Sequence, residues 1–153
     1  MFYQKNTRVT MRKFKVLSCL LVAGIFLGTA PIQAFSADWS SIIKKQDYEI
    51  FVDIDSYDVV EGYPFIVTKT RFKNAQMVTL NQQKIQFIES VKNQQFDCKN
   101  PRFRTTSMRL YDKKNKLKGS DTQVTVFQPI LAGSNEFAVG QLTCQVHQMV
   151  GGQ

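Results

Sequence analysis

The chain has 153 residues and a formal charge of +8, but that charge is unevenly placed. Five of the 20 basic residues and none of the 12 acidic ones fall in the first 37 positions, so residues 38–153 carry 15 basic against 12 acidic groups, about +3. So small an excess lacks the concentrated basic footprint of a nucleic-acid binder, and the length beyond position 37 suffices for a single domain.

The front of the chain has the order of an export signal. Arg12, Lys13 and Lys15 precede an apolar run from Val16 to Ile25 that continues through Phe26, Leu27 and Ala30 and is broken by Pro31. Small residues at Ala34 and Ala37 offer cleavage positions, and translation can start at Met1 or Met11. The run is interrupted too early for a membrane span of about 20 apolar residues, so the mature domain is expected not to span a membrane. An uncleaved single-pass anchor is the alternative. Cys19 follows Val16, Leu17 and Ser18 in the manner of a lipobox, but most of the apolar run comes after it. It is expected to leave with the signal, giving a signal peptide over 1–37 and one domain over 38–153.

Within that domain, Asp38 to Asp47 is short and polar with Trp39, Ile42 and Ile43 as anchors, which predicts one or two helical turns. From Tyr48 the period becomes two: Tyr48, Ile50 and Val52 face one way and Glu49, Phe51 and Asp53 the other, the pattern of a strand. Asp55 and Ser56 open a connection through Val59, Val60, Glu61 and Gly62. Tyr63 to Phe72 is a second strand, rich in aromatic and β-branched residues, with Pro64 near its start where a missing N–H is best tolerated. Lys73, Asn74 and Ala75 mark a turn, and Met77 to Leu80 fits either strand or loop. Ile85 to Val91 alternates again, with Phe96 and Cys98 in similar phase, as one long strand or as two parted at Lys92 to Gln95. Phe103 to Tyr111 is a further strand, with Met108 and Leu110 on one face and Arg109 and Tyr111 on the other. Asp112 to Gly119 is a hairpin tip. Val124, Val126 and Phe127 are expected to resume the sheet, and Pro129 to end it. Ser134 is an N-cap with Glu136 in the first turn, predicting a helix over about 135–144, a polar tail beyond it and a frayed end at Gly151 and Gly152. The fold class expected is α+β: a predominantly antiparallel β-sheet with a short N-terminal helical segment and a C-terminal helix.

Cys98 and Cys144 are the two cysteines left after the signal. In an oxidising compartment they are expected to form a disulfide clamp; two separate buried thiols are the alternative. His147 is the chain's one histidine and falls in the polar tail, with no second histidine to complete a zinc set. Asp53, Asp55 and Asp58 lack the glycine and terminal glutamate of a calcium loop. No phosphate-cradling glycine run and no Cys-x-x-Cys is present, so no enzyme activity, metal or cofactor is expected.

Lys113, Lys114, Lys116 and Lys118 form the densest positive stretch, near Arg102, Arg104 and Arg109. A solvated hairpin that discourages edge pairing accounts for them. As a functional site they would be an electrostatic contact for an acidic partner, a protein rather than a nucleic acid once export is considered.

Several short motifs together resemble the surface-adhesin protein E-like family of Gram-negative bacteria. They are Trp39, the run Tyr48 to Ser56 leading through Val59 to Gly62 into Phe65 to Val67, then Phe96 to Cys98, the basic strand Arg102 to Tyr111, Phe127 before Pro129, and Ser134 to Cys144. The resemblance implies an antiparallel sheet packed by helices, with a cysteine pair matching Cys98 and Cys144. It also implies an exported, non-enzymatic binding protein, an adhesin for host extracellular-matrix or complement-regulating proteins, in the periplasm or at the cell surface. A homodimer is among the expected assemblies. The alternative function is a soluble periplasmic structural or inhibitory protein such as a lysozyme inhibitor.

Overall fold

A computed structural model describes residues 37–151. The expected signal peptide up to residue 36, with Cys19 and the cleavage position at Ala34, lies outside the described residues.

The described chain is an antiparallel meander of β1 (Trp39–Lys44), β2 (Tyr48–Val60), β3 (Tyr63–Leu80), β4 (Gln83–Asp97), β5 (Arg102–Tyr111) and β6 (Leu117–Asp121), each paired with the next. A two-residue strand, β7 (Gln128–Pro129), pairs with the far end of β5, and α1 (Asn135–Met149) closes the fold. The tight turns explain the meander. Glu61 and Gly62 both take positive φ between paired Val60 and Tyr63, and Asn81 and Gln82 do so between paired Leu80 and Gln83. Two residues at positive φ are what a primed hairpin turn needs, because its twist matches that of the flanking strands.

One face of the sheet carries the helix. Ile50, Val52, Ile66 and Phe96 are buried there against Val139, with Ile42, Ile43, Phe103, Ile130 and Leu142 packed around them. Gly140 lies directly over Phe96: a Cβ at that position would sit 3.1 Å from the ring and 3.2 Å from Ile130. The glycine therefore costs helix propensity of about 1 kcal/mol but lets the helix backbone approach the sheet. Three further ties hold α1. Tyr48 donates to Asn135 Oδ1 at its start (3.1 Å), Tyr57 Oη and His147 Nδ1 lie 2.7 Å apart at its end, and Cys144 is bonded to Cys98 across a sequence separation of 46. Ser134 caps the helix as expected, accepting from the Phe137 N–H.

Several expectations are corrected. Asp38 to Asp47 holds no helix; it supplies strand β1. A bulge between Ser41 and Ile43 turns both Ile42 and Ile43 toward the core, so a spacing that looks helical is an interrupted alternation on the open edge of β2. The connection expected at Asp55 and Ser56 is a bulge within β2, where Ser56 Oγ accepts from the Val67 N–H and donates to the Asp53 carbonyl. The turn expected at Lys73 to Ala75 is likewise a bulge, and β3 runs on to Leu80. Val124, Val126 and Phe127 do not resume the sheet. There the backbone bonds to β5 only through Thr125, Phe127 packs under the β5 guanidinium of Arg104, and the two valines stay 56% and 78% exposed because no second layer of described residues covers them. Finally, α1 continues five residues past Cys144, so His147 is a helical residue held by Tyr57 and not part of a polar tail.

The turn between β4 and β5 places Cys98. Asp97 organises it, accepting from the N–H groups of Lys99 and Asn100, from Asn100 Nδ2, and from Arg102 Nη2 at 2.7 Å. The Arg102 bond first, and the Asn100 N–H next, hold the Asp97 carboxyl down from 3.8 to about 2. A carboxylate favoured by the fold contributes stability above pH 3.8 that is lost as pH falls toward 2. Unfolding free energy measured between pH 5 and 2 should fall less steeply in Asp97→Asn than in the parent; identical slopes would remove Asp97 from the acid response.

A charged face and a lysine hairpin

The face of the sheet opposite the helix bears no helix among the described residues. Register and alternation place its side chains in rows. Phe51, Lys69, Val91 and Arg109 are consecutive cross-strand neighbours, and so are Glu49, Arg71, Glu89 and Tyr111. Trp39, Asp53, Val67, Asn93 and Ser107 form the third row. Direct cross-strand neighbours have Cβ atoms about 5 Å apart, which makes the rows a continuous surface. A groove of about 710 Å³ runs along it, lined by Trp39 and Tyr111, by the cations Lys69, Arg71, Arg109 and Lys113, and by the carboxylates Glu89 and Asp112.

Lys69 is the unusual member. It is 9% exposed, its ammonium lies 4.1 Å from the centroid of Trp39 and 5.0 Å from that of Phe51, and it forms no ion pair with a described residue. Burial pushes its pKa down, while Glu89 and, more weakly, Asp53 oppose that shift. Asp53 Oδ1 and Asn93 Oδ1, on either side of Val67 in the next row, are buried without a hydrogen-bond partner among the described residues. The aromatic faces and these acceptors compensate part of the cost of a desolvated cation. Arg71, by contrast, is neutralised by Glu89 at 3.0 Å.

The lysine hairpin stands at one end of this groove. Asp112 Oδ1 accepts from the N–H groups of Lys114 and Lys116, and the Asp112 N–H donates to the Lys116 carbonyl, with Asn115 at positive φ. These bonds, that of the Lys116 N–H foremost, lower the Asp112 pKa. An aspartate closing its own turn in this way is a local, sequence-encoded device. It holds Lys113, Lys114, Lys116 and Lys118 exposed and without ion pairs among the described residues. All four line a second groove, of about 840 Å³, against the β3–β4 arm.

The seven basic residues nominated from sequence therefore separate. Arg109 and Lys113 line the face groove, and Lys113, Lys114, Lys116 and Lys118 line the second. Arg102 and Arg104 sit at the other end of β5, about 20 Å away at strand spacing. Arg102 is bonded to Asp97; Arg104 is bonded to Glu61 (2.6 Å) and Gln95 and stacked over Phe127 at 4.7 Å. Trp39, Lys69 and Arg71 were not singled out from sequence as site residues. The available signal was the two-residue spacing of Lys69 and Arg71 in phase with Phe51, but its meaning depends on a register that bulges obscure.

Among the described residues no group of three or more histidine, cysteine or carboxylate side chains converges as a metal site, and no helix is long and apolar enough to cross a membrane; the latter does not bear on β-barrels. A family model for surface-adhesin protein E matches residues 39–145. The chain belongs to that family. Two structures of Haemophilus influenzae protein E share its fold. Crystal form II superposes with a TM-score of 0.55 at 11% identity, over 78% of this chain and 96% of that one. The other structure gives 0.50 at 13% identity, over 78% and 93%. No curated protein sequence matches this chain. As a member of a family of surface adhesins, the protein is non-enzymatic.

Proposed function

We propose that the protein is an exported binding module of the adhesin type, with residues 1–37 as its signal peptide and the lysine hairpin as its contact with an acidic protein partner. The observation that carries this reading is the Asp112-closed turn. It presents four lysines on a fixed backbone, none paired with a described acidic residue. Surface charges of that kind steer association and set specificity more than they stabilise a fold. Family membership and the likeness to protein E support adhesion as the use, and host extracellular-matrix or complement-regulating proteins are the partner class that the resemblance implies.

The test is binding of purified protein to a panel of immobilised extracellular-matrix glycoproteins at low and physiological salt. Reversing Lys113, Lys114, Lys116 and Lys118 to glutamate should weaken binding at least tenfold without lowering the melting temperature. Parent binding should itself weaken with salt, since exposed charges are screened over about 8–10 Å. Unchanged binding in the reversed variant would remove the hairpin as the site. Protease treatment of intact cells that spared the protein would remove surface display.

A further inference from the structure

We infer that the groove on the helix-free face is a binding site for an acidic saccharide, with Lys69 and Arg109 holding its anionic groups against Trp39 and Tyr111. This goes beyond the protein contact at the hairpin, because the deciding residue, Lys69, lies in the middle of the sheet.

Three observations select the chemistry. The groove's volume of about 710 Å³ is of ligand-site size, and its floor contains a cation that is nine-tenths buried and has no carboxylate within ion-pair distance among the described residues. A desolvated charge that Glu89 and Asp53 reach only from beyond ion-pair distance is costly in an inert surface and useful where an anion arrives. Lys69 and Arg109 are separated by one intervening strand through Val91, about 10 Å at normal strand spacing. Arg109 is exposed and likewise forms no ion pair among the described residues. Two anion sites so placed match charged groups on a glycan whose acidic units alternate along the chain.

The aromatic walls favour a sugar over an amino-acid chain. An extended peptide gains affinity by adding a strand to a sheet edge, but this groove lies on the sheet's face, where the backbone is committed to ladders with both neighbours. Recognition there falls to side chains. A sugar offers C–H faces to Trp39 and Tyr111, and its sulfates or carboxylates to the cations.

Trp39 is the chain's single tryptophan, so its fluorescence reports on the groove directly. Titration of the purified protein with a heparin octasaccharide should produce a saturable change, and a neutral dextran oligosaccharide of the same length none. Lys69→Met and Arg109→Gln should each raise the Kd at least tenfold; Arg109 is exposed, so its variant tests the site even if Lys69→Met alters folding. Lys114→Glu with Lys118→Glu should leave the Kd within about threefold, which separates this site from the hairpin contact. The proposal is overturned by the absence of a saturable change. It is also overturned by equal affinity for a polyglutamate peptide, or by loss of binding in the hairpin variant with none in Lys69→Met and Arg109→Gln.

Discussion

Phe96→Ala should lower the unfolding free energy by about 3–5 kcal/mol, the range for deleting a fully buried aromatic ring. Phe96 has no exposed surface, belongs to the central cluster and stacks beside Phe103 with centroids 6.2 Å apart. Its ring is also what Gly140 rests on. Truncation would leave a void that α1 cannot fill by sliding, because the helix is tied at Asn135, Cys144 and His147. Denaturant titration measures the loss. Against a total of about 5–15 kcal/mol for ordinary domains, the variant should be partly unfolded near physiological temperature. A loss below about 1 kcal/mol would mean that α1 does not depend on this contact. Phe137, on the same helix but 37% exposed, should tolerate alanine at about 1 kcal/mol or less.

The second large effect concerns the Cys98–Cys144 bond. It closes a segment with a sequence separation of 46, for which the chain-entropy account gives about 4 kcal/mol. Replacing both cysteines with alanine, or reducing the bond, should destabilise the protein by about 3–4 kcal/mol. The buried face of Val139, Gly140, Thr143 and Val146 should nevertheless keep α1 docked in the folded state. Unfolding measured with and without reductant tests the magnitude. Alkylation followed by intact mass tests the bond itself: protein taken from its native compartment should have no alkylatable thiol at Cys98 or Cys144 until reduced. Reduction that left stability unchanged would assign the anchoring of the helix to packing alone.

The two residues were readable as a pair because the expected loss of Cys19 with a signal peptide would leave no other partner for either. Their spatial role was not readable. Cys98 lies one residue past β4, in the turn that Asp97 organises, and Cys144 faces it from the third turn of a helix that proved longer than its pattern suggested. The helix continues because Val146 finds a buried place and His147 finds the Tyr57 hydroxyl. Both partners are remote in sequence, so no local pattern signals them.

The same physical cause accounts for the misread strands. Alternation identified Tyr48 to Val52, Tyr63 to Phe72 and Phe103 to Tyr111, and the Asp112 hairpin tip, because each is encoded by neighbours a few residues apart. At Ser41–Ile43, Asp53–Asp58 and Arg71–Gln76 the phase slips at a bulge. A slipped phase looks like a turn, or like a helical spacing when two isoleucines become adjacent. A bulge is stabilised by pairing on both sides of it, which is a property of the assembled sheet.

Sequence alone determined the antiparallel strand content, the Ser134 cap of a terminal helix, the cysteine pair and the lysine-rich tip. Those features rest on periodicity, turn chemistry and composition, which act over short stretches of chain. Tertiary structure decided that Trp39 belongs to an edge strand, that Arg102 and Arg104 serve the framework, and that Lys69 is a buried cation between two aromatic rings. Each of these depends on which strand lies beside which, and in what register, because a cross-strand neighbour can be dozens of residues away and a one-residue slip would move every side chain to the other face.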